Sequence, residues 1–305
     1  MTKNIGESVR SQLKNIAIKE GSDFNAVLTR YSLERLLYRI GVSSYSNQFL
    51  LKGALLFNLW YDMPHRPTKD IDLLGFGVND LAYIKRTFSE ICNISANDGM
   101  RFFSESVTIN TIKKDEAYTG ARVDLFGELA KARIKIQIDI GYGDVVTPGP
   151  IDAKYPVLIS DLPAPKIRTY PVYTVIAEKL HTIVLLGMVN SRLKDYLDLY
   201  VLLTNEQLDN QVLAQAIHAT FTRRKLAVPE SIPIGLTDEF ANDPSRESMW
   251  KAFLRKNELE QKPLQEVISV IRNLVQEPIS LASSLGGGRS PYPRFSMVFQ
   301  SQELL

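Results

Sequence analysis

The sequence holds one cysteine, Cys92, in 305 residues. A lone thiol excludes an internal disulfide framework and fits a reducing compartment. No apolar run approaches the roughly 20 residues that cross a bilayer, and the opening stretch MTKNIGESVRSQLK has no signal-peptide core. A cytoplasmic protein with no membrane partner is therefore expected. Neither sign of charge dominates: 36 Lys and Arg against 34 Asp and Glu leave a net +2. Any nucleic-acid partner must then be met by local patches, not by total charge. There is no internal repeat. Several motifs are missing as well. Without G-x-x-x-x-G-K-[ST] or H-R-D…N the P-loop and known kinase classes are disfavoured, and without H-E-x-x-H or G-x-S-x-G the metalloprotease and serine-hydrolase readings fall away.

What is present is an ordinary globular composition, 45% apolar and 23% charged, long enough for two domains. The most informative stretch is Asp70-Ile71-Asp72-Leu73-Leu74. Residues two apart in a strand share a face, so Asp70 and Asp72 point one way while Ile71 and Leu73 turn into the core. Two like charges so close repel unless a cation separates them. Hard oxygen ligands call for Mg²⁺ or Mn²⁺. Upstream, Lys52-Gly53-Ala54 precedes the apolar helical stretch Leu55 to Trp60. A small residue at a helix start exposes backbone N–H groups to a phosphate. Thr68 carries a hydroxyl two residues before Asp70, a position open to self-modification.

The first 45 residues read as helices. Val9, Leu13 and Ile16 form one stripe, and Ser22-Asp23 caps a second helix that Gly41 would end. Leu81, Ile84, Phe88 and Ile91 fit another helix. A β-rich part follows at Val107 to Lys113, Tyr118 to Leu129 and Arg133 to Gly141, the last two joined as a hairpin through Ala130-Lys131-Ala132. In the third of these strands Ile134, Ile136, Ile138 and Ile140 form one face, and Arg133, Lys135, Gln137 and Asp139 the other. Six prolines between Pro148 and Pro171 exclude a long helix and mark a crossover, with a short strand near Val157. Thr174 can cap a helix over Val175 to Gly187, and Ser191 one over Arg192 to Leu203. Helices are also expected at Ala214 to Phe221, from Pro244 or Ser245 through Phe253, and from Lys262-Pro263 onward. Basic patches stand at Lys113-Lys114, Lys131 to Lys135 and Arg223 to Lys225. The expected division is a sheet lobe with N-terminal helices over 1–165 and a helical lobe over 166–305, with a mobile tail at 280–305.

The order of a small-residue helix start and then D-x-D resembles the nucleotidyltransferase superfamily. More closely, LLKGALLFNLW…RPTKDIDLL is similar to the AbiEii/AbiGii toxin family, which includes the MenT toxins. A second block, EKLHTIV…SRLKDYLDLYVL, resembles the family independently, and the likeness runs over roughly residues 24 to 204. It implies an α/β (α+β) fold: a nucleotidyltransferase-like mixed sheet lobe with a mainly helical C-terminal lobe. It also implies a third carboxylate on a neighbouring strand, either Asp139 or Asp124. In this reading Asp70, Asp72 and Asp139 hold the metal, Lys52, Gly53, Ala54, Arg66, Thr68 and Arg192 surround the nucleotide, and Lys179 adds positive charge to the triphosphate. Asp195 or Asp198 orients that lysine, or the nucleotide, from the second lobe. The implied activity is that of a toxin of a toxin–antitoxin pair, a Mg-dependent transfer of NMP from an NTP to RNA, at the tRNA 3′ end, with an antitoxin as partner. One departure stands out: the family often has Gly-Gly where this chain has Gly53-Ala54. A kinase-like phosphotransferase and a catalytically inactive RNA- or antitoxin-binding module are the competing readings.

Overall fold

A computed structural model describes residues 5–61, 68–115 and 118–286, and their side chains except at 113–119. Two helices open the chain. In α1 (Ile5–Glu20) Val9, Leu13 and Ala17 are buried. In α2 (Phe24–Val42) the Asp23 carboxylate caps the first turn, accepting from the Asn25 and Ala26 amides at 2.8 and 3.2 Å. Gly41 lies inside α2 instead of ending it. A Cβ there would stand 2.2 Å from the Lys166 carbonyl oxygen, so the residue is small because the helix presses on a strand backbone. Helix α2 also buries charge. Arg39 holds Asp98 with two bonds of 2.7 and 3.1 Å, and Arg35 pairs with Glu34 at 2.7 Å.

Next come β1 (Phe49–Lys52), α3 (Leu55–Trp60), β2 (Asp70–Gly75) and α4 (Leu81–Cys92), then β3 (Met100–Asp115), β4 (Tyr118–Leu129) and β5 (Ala132–Tyr142). Strand β3 starts seven residues before the alternation first becomes visible in the sequence, because a register shift between Phe103 and Thr108 breaks the period. The β4–β5 hairpin turns on Ala130 (φ 46°) and Lys131 (φ 69°), both left-handed without being glycine. The proline-rich crossover adds β6 (Ile151–Lys154) and β7 (Lys166–Thr169) to the sheet. Val157 is in neither strand.

These strands form a seven-stranded mixed sheet in the order β3-β4-β5-β2-β1-β7-β6. Pairs β2–β5 and β1–β7 are parallel, and the rest are antiparallel. One face packs on α1, α2 and α4. There Val123, Leu125, Ile136, Ile138 and Ile140 are buried, as the isoleucine alternation of β5 requires.

The remainder is helical: α5 (Val172–Leu186), α6 (Leu193–Asn205), α7 (Asn210–Arg223), the short α8 (Asp238–Ala241), α9 (Pro244–Lys256) and α10 (Leu264–Gly286). Two caps differ from expectation. Thr174 lies inside α5 and exchanges hydrogen bonds with the backbone of Thr147 at 2.9 and 3.0 Å. At α6, Arg192 takes the cap position, and the Asn190 carboxamide, not Ser191, accepts its amide. Residues 280–286, expected in the tail, continue α10; 287–305 lie outside the described residues. Val172–Val189 is, by length and composition, apolar enough to cross a membrane, which corrects the expectation that no such run exists. It carries Glu178 and Lys179, and Val175, Ile176, Leu180 and Ile183 on it are buried within the fold.

Candidate active site

Strand register decides which polar side chains meet. Lys52 is opposite Asp72, Asp72 opposite Asp139, and Asp139 opposite Arg122, so β1, β2, β5 and β4 contribute one row across the sheet. Asp70 stands on the same face, two residues along, opposite Gln137. A cavity of about 580 Å³ opens over this row, and Asp70, Asp72 and Asp139 all border it. Burial, then the charges of Asp72 and Asp139, push the Asp70 carboxyl above the usual carboxylate range, with Arg122 and Lys194 opposing.

Asp139 receives two bonds of 2.8 Å from Arg122, a bidentate pair. Asp124 pairs with Lys135 at 2.9 Å and does not border the cavity. Among the described residues no three carboxylate, histidine or cysteine side chains stand close enough to hold an ion between them. Asp70 and Asp72 nevertheless fit a hard divalent cation. They are oxygen donors on one face, and their mutual repulsion is what such an ion relieves.

Gly53 has φ +73°, and a Cβ there would stand 2.2 Å from Asp72 Oδ2. Asp72 therefore rests against a bare Cα, which only glycine supplies. The helix after it has six residues. Its Leu56 and Phe57 amides already donate to Gly53 and Ala54 carbonyls at 3.3 and 3.1 Å, so the expected phosphate cradle reduces to the backbone of Gly53 and Ala54, which lines the cavity.

Lys52 is committed elsewhere. Its ammonium is 2.9 Å from Asp144, 3.3 Å from both oxygens of Glu178 and 3.4 Å from the Tyr170 hydroxyl. Arg224 reaches the same two acids at 2.9 and 3.1 Å. Two cations thus alternate with two anions where the helical lobe meets the sheet. Burial alone would lower the Lys52 ammonium, but Glu178, Tyr170 and Asp144 hold it well above its ordinary value. Asp144 is held far below the carboxylate range: burial opposes this, and Lys52 and Arg224 outweigh it. The basic triplet that ends α7 turns inward in part, with Arg223 donating to the Gly143 carbonyl.

Across the cavity, Lys179 on α5 is 3.0 Å from Asp195 and 2.6 Å from Asp198, and Arg192 is 2.7 Å from Asp195. Burial would raise the Asp195 carboxyl, yet Lys179 and Arg192 hold it low. Asp198 is fully buried and does not border the cavity, whereas Lys179, Arg192, Lys194 and Asp195 do. His181 is buried edge-on to Phe221, 5.1 Å between ring centroids.

The structure thus brings together Asp70, Asp72, Asp139, Gly53, Ala54, Lys179, Arg192 and Asp195. Thr68 precedes β2, which begins at Asp70, and is not among the residues bordering the cavity. Arg66 lies outside the described residues. Sequence reasoning missed Tyr170, and did not see that Asp144 and Glu178 neutralise Lys52 and Arg224 together. The one available signal was the Gly-Tyr-Gly-Asp turn immediately after β5.

A family model described as nucleotidyl transferase AbiEii toxin, type IV TA system, matches residues 35–275. The chain belongs to the AbiEii family. Both sequence blocks that carry the resemblance, with Asp70, Asp72 and Lys179, fall inside the matched span. Membership makes this AbiEii chain a nucleotidyltransferase of a type IV toxin–antitoxin family, which implies a nucleoside triphosphate substrate and an antitoxin partner. No curated protein sequence matches it. Two solved structures are similar in architecture. One is a protein from H. pylori described as a candidate nucleotidyltransferase, at 16% identity and TM-score 0.48, covering 86% of this chain and 98% of that one. The other is JHP933 from Helicobacter pylori, at 14% identity and TM-score 0.46, covering 87% and 96%. At these values they say nothing of this AbiEii chain's chemistry.

Proposed function

We propose that this protein is a cytoplasmic, magnesium-dependent toxin that transfers NMP from an NTP to an RNA acceptor, the tRNA 3′ end. The observation that supports the reading is the cavity itself: Asp70, Asp72 and Asp139 on the sheet side face Lys179, Arg192 and Lys194 on the helical side. An anionic wall opposite a cationic one suits a triphosphate whose α-phosphorus must lie near carboxylates and whose outer phosphates need positive charge. Asp70 and Asp72 would hold the divalent ion; Asp139, expected as a third ligand, is held by Arg122 and stands beside them. Bound there, the ion supplies charge neutralisation at the reacting phosphate.

The remaining work falls to this chain's residues. Gly53 sets the position of the Asp72 carboxylate. Lys179, fixed by Asp195 and Asp198, presents its charge from one direction, and Arg192 is held beside it by Asp195. The RNA 3′ hydroxyl oxygen bonds to the α-phosphorus, the bond from that phosphorus to the bridging oxygen breaks, and pyrophosphate leaves. The hydroxyl proton passes to a carboxylate of the row, with Asp139 the candidate base.

The test is label transfer. Purified protein, Mg²⁺ and total bacterial RNA are incubated with each α-labelled NTP in turn, then with γ-labelled ATP. Label on the tRNA 3′ end from the α position alone is the expected result. Label from the γ position, on RNA or on the protein itself, would replace this reading with phosphotransfer.

A further inference from the structure

The row of carboxylates does not end the exposed face of the sheet. On β5 that face continues from Asp139 through Gln137 and Lys135 to Arg133, and on β4 from Arg122 through Asp124 and Phe126 to Glu128. Strand β3 adds Phe103 opposite Phe126 and Arg101 opposite Glu128. At about 3.3 Å per residue, the Phe126–Lys135 row lies about 13 Å from Asp139 and the Glu128–Arg133 row about 20 Å. The helices packed on β3, β4 and β5 among the described residues, α1, α2 and α4, cover the opposite face.

Two arginines lie over the phenylalanines. The Arg133 guanidinium is 4.2 Å from the Phe126 ring centroid and 5.7 Å from that of Phe103, and Arg101 is 4.7 Å from Phe103. Each arginine thus carries its charge over a phenylalanine ring. Arg101, Arg133 and Lys135 are exposed, whereas Phe103 and Phe126 are half-buried.

We propose that this face is a docking track for single-stranded RNA, leading its 3′ end to Asp70 and Asp72. The proposal rests on the RNA-acceptor reading above. Unpaired bases stack on aromatic rings and on guanidinium planes, and phosphates seek Arg and Lys. The track offers both, and it is continuous with the cavity through Arg122 and Gln137. Arg122 and Asp124 are paired to Asp139 and Lys135. Arg101 and Arg133 flank Glu128 in the last row, so positive charge predominates at the far end. A second protein chain is a poorer occupant, since the rings are already capped by charged groups that it would have to desolvate.

The test uses the full chain and two assays. A fluorescein-labelled single-stranded RNA of twelve nucleotides is titrated by anisotropy, and transfer of α-labelled NTP to RNA is measured with both KM values. Phe126→Leu and Arg133→Gln should each weaken oligonucleotide binding by about tenfold and raise KM for RNA in step. KM for NTP and kcat should be unchanged, and Phe126→Tyr should restore binding. Unchanged affinity and KM for RNA in both variants would overturn the track, and so would no oligonucleotide binding by the unaltered chain. A changed sedimentation mass without a change in RNA affinity would also overturn it, making the face a self-interface. If the unaltered chain labels no RNA yet oligonucleotide binding falls in the variants, the track stands and the acceptor reading fails. If RNA is labelled with the same KM for RNA by all, the acceptor reading stands and the track fails.

Discussion

Lys52 and Asp72 are directly opposite each other across β1 and β2, yet the lysine ammonium bonds Asp144 and Glu178 instead. The pairing that strand register offers is given up for one between lobes. Removing a buried partner leaves acids with half their compensation, at a cost of about 3–5 kcal/mol. Lys52→Met should therefore destabilise by that order in urea unfolding. Adding Glu178→Gln should recover part of the loss. Strict additivity of the two would show that they do not interact.

Asp72→Asn should abolish transfer, by at least about a hundredfold, while leaving the circular dichroism spectrum intact. Its sharper readout is cation linkage. Mg²⁺ should raise the melting temperature of the unaltered chain and not that of the variant. An equal rise in both would move the ion elsewhere.

Asp70 carries the opposite sign of stability. Its carboxyl is pushed up in the fold, so its ionisation weakens the folded state. The favourable contribution is complete below the ordinary carboxylate pKa and is lost as pH rises through the folded value. Asp70→Asn, without divalent ion, should raise the melting temperature at pH 7 by about 1–2 °C. The gain should vanish near pH 4. A variant less stable than the parent at pH 7 would contradict the electrostatic account.

Gly53→Ala meets two obstacles, a positive φ and the Asp72 oxygen 2.2 Å from the new Cβ. A non-glycine residue in that conformation costs about 1–2 kcal/mol, and the displaced carboxylate should lower activity by about a hundredfold. Ala54→Gly, at a helical φ of −68°, should leave turnover within a few-fold. Equal losses at both positions would show that Asp72 placement is not what Gly53 secures.

Lys179→Ala should do more than weaken triphosphate use. Asp195 and Asp198, both buried, would lose their shared cation, with destabilisation of about 3–5 kcal/mol. Asp198→Asn in the same chain should restore part of the stability and none of the activity. Measuring KM for NTP in that double variant separates the two roles.

The parts of this site that were legible in the sequence are those with local periodicity. Asp70 and Asp72 share a strand face by their spacing alone, and Asp139 lies on the polar face of an alternating strand; that the two faces meet was implied only by the family resemblance, which left Asp124 open. Lys179 and Asp195 were legible only through the second family block, since a lysine and an aspartate on successive helices have no local signature. The neutralising set was hidden for a physical reason. Lys52, Asp144, Glu178 and Arg224 come from four separate elements, and only the packing of both lobes makes them neighbours. Short β6 and β7 were hidden too, because four-residue strands among prolines have too little length to show a period.

The arrangement around Lys52 also bears on synthesis. The ion lattice that closes the sheet onto the helical lobe draws its first member from position 52 and its last from 224. A nascent chain that stops short of Arg224 has Asp70 and Asp72 but not the clasp that sets the opposing wall. The cavity is thus completed only once residue 224 has been made, so the order of synthesis places the closing of this wall after all of the sheet.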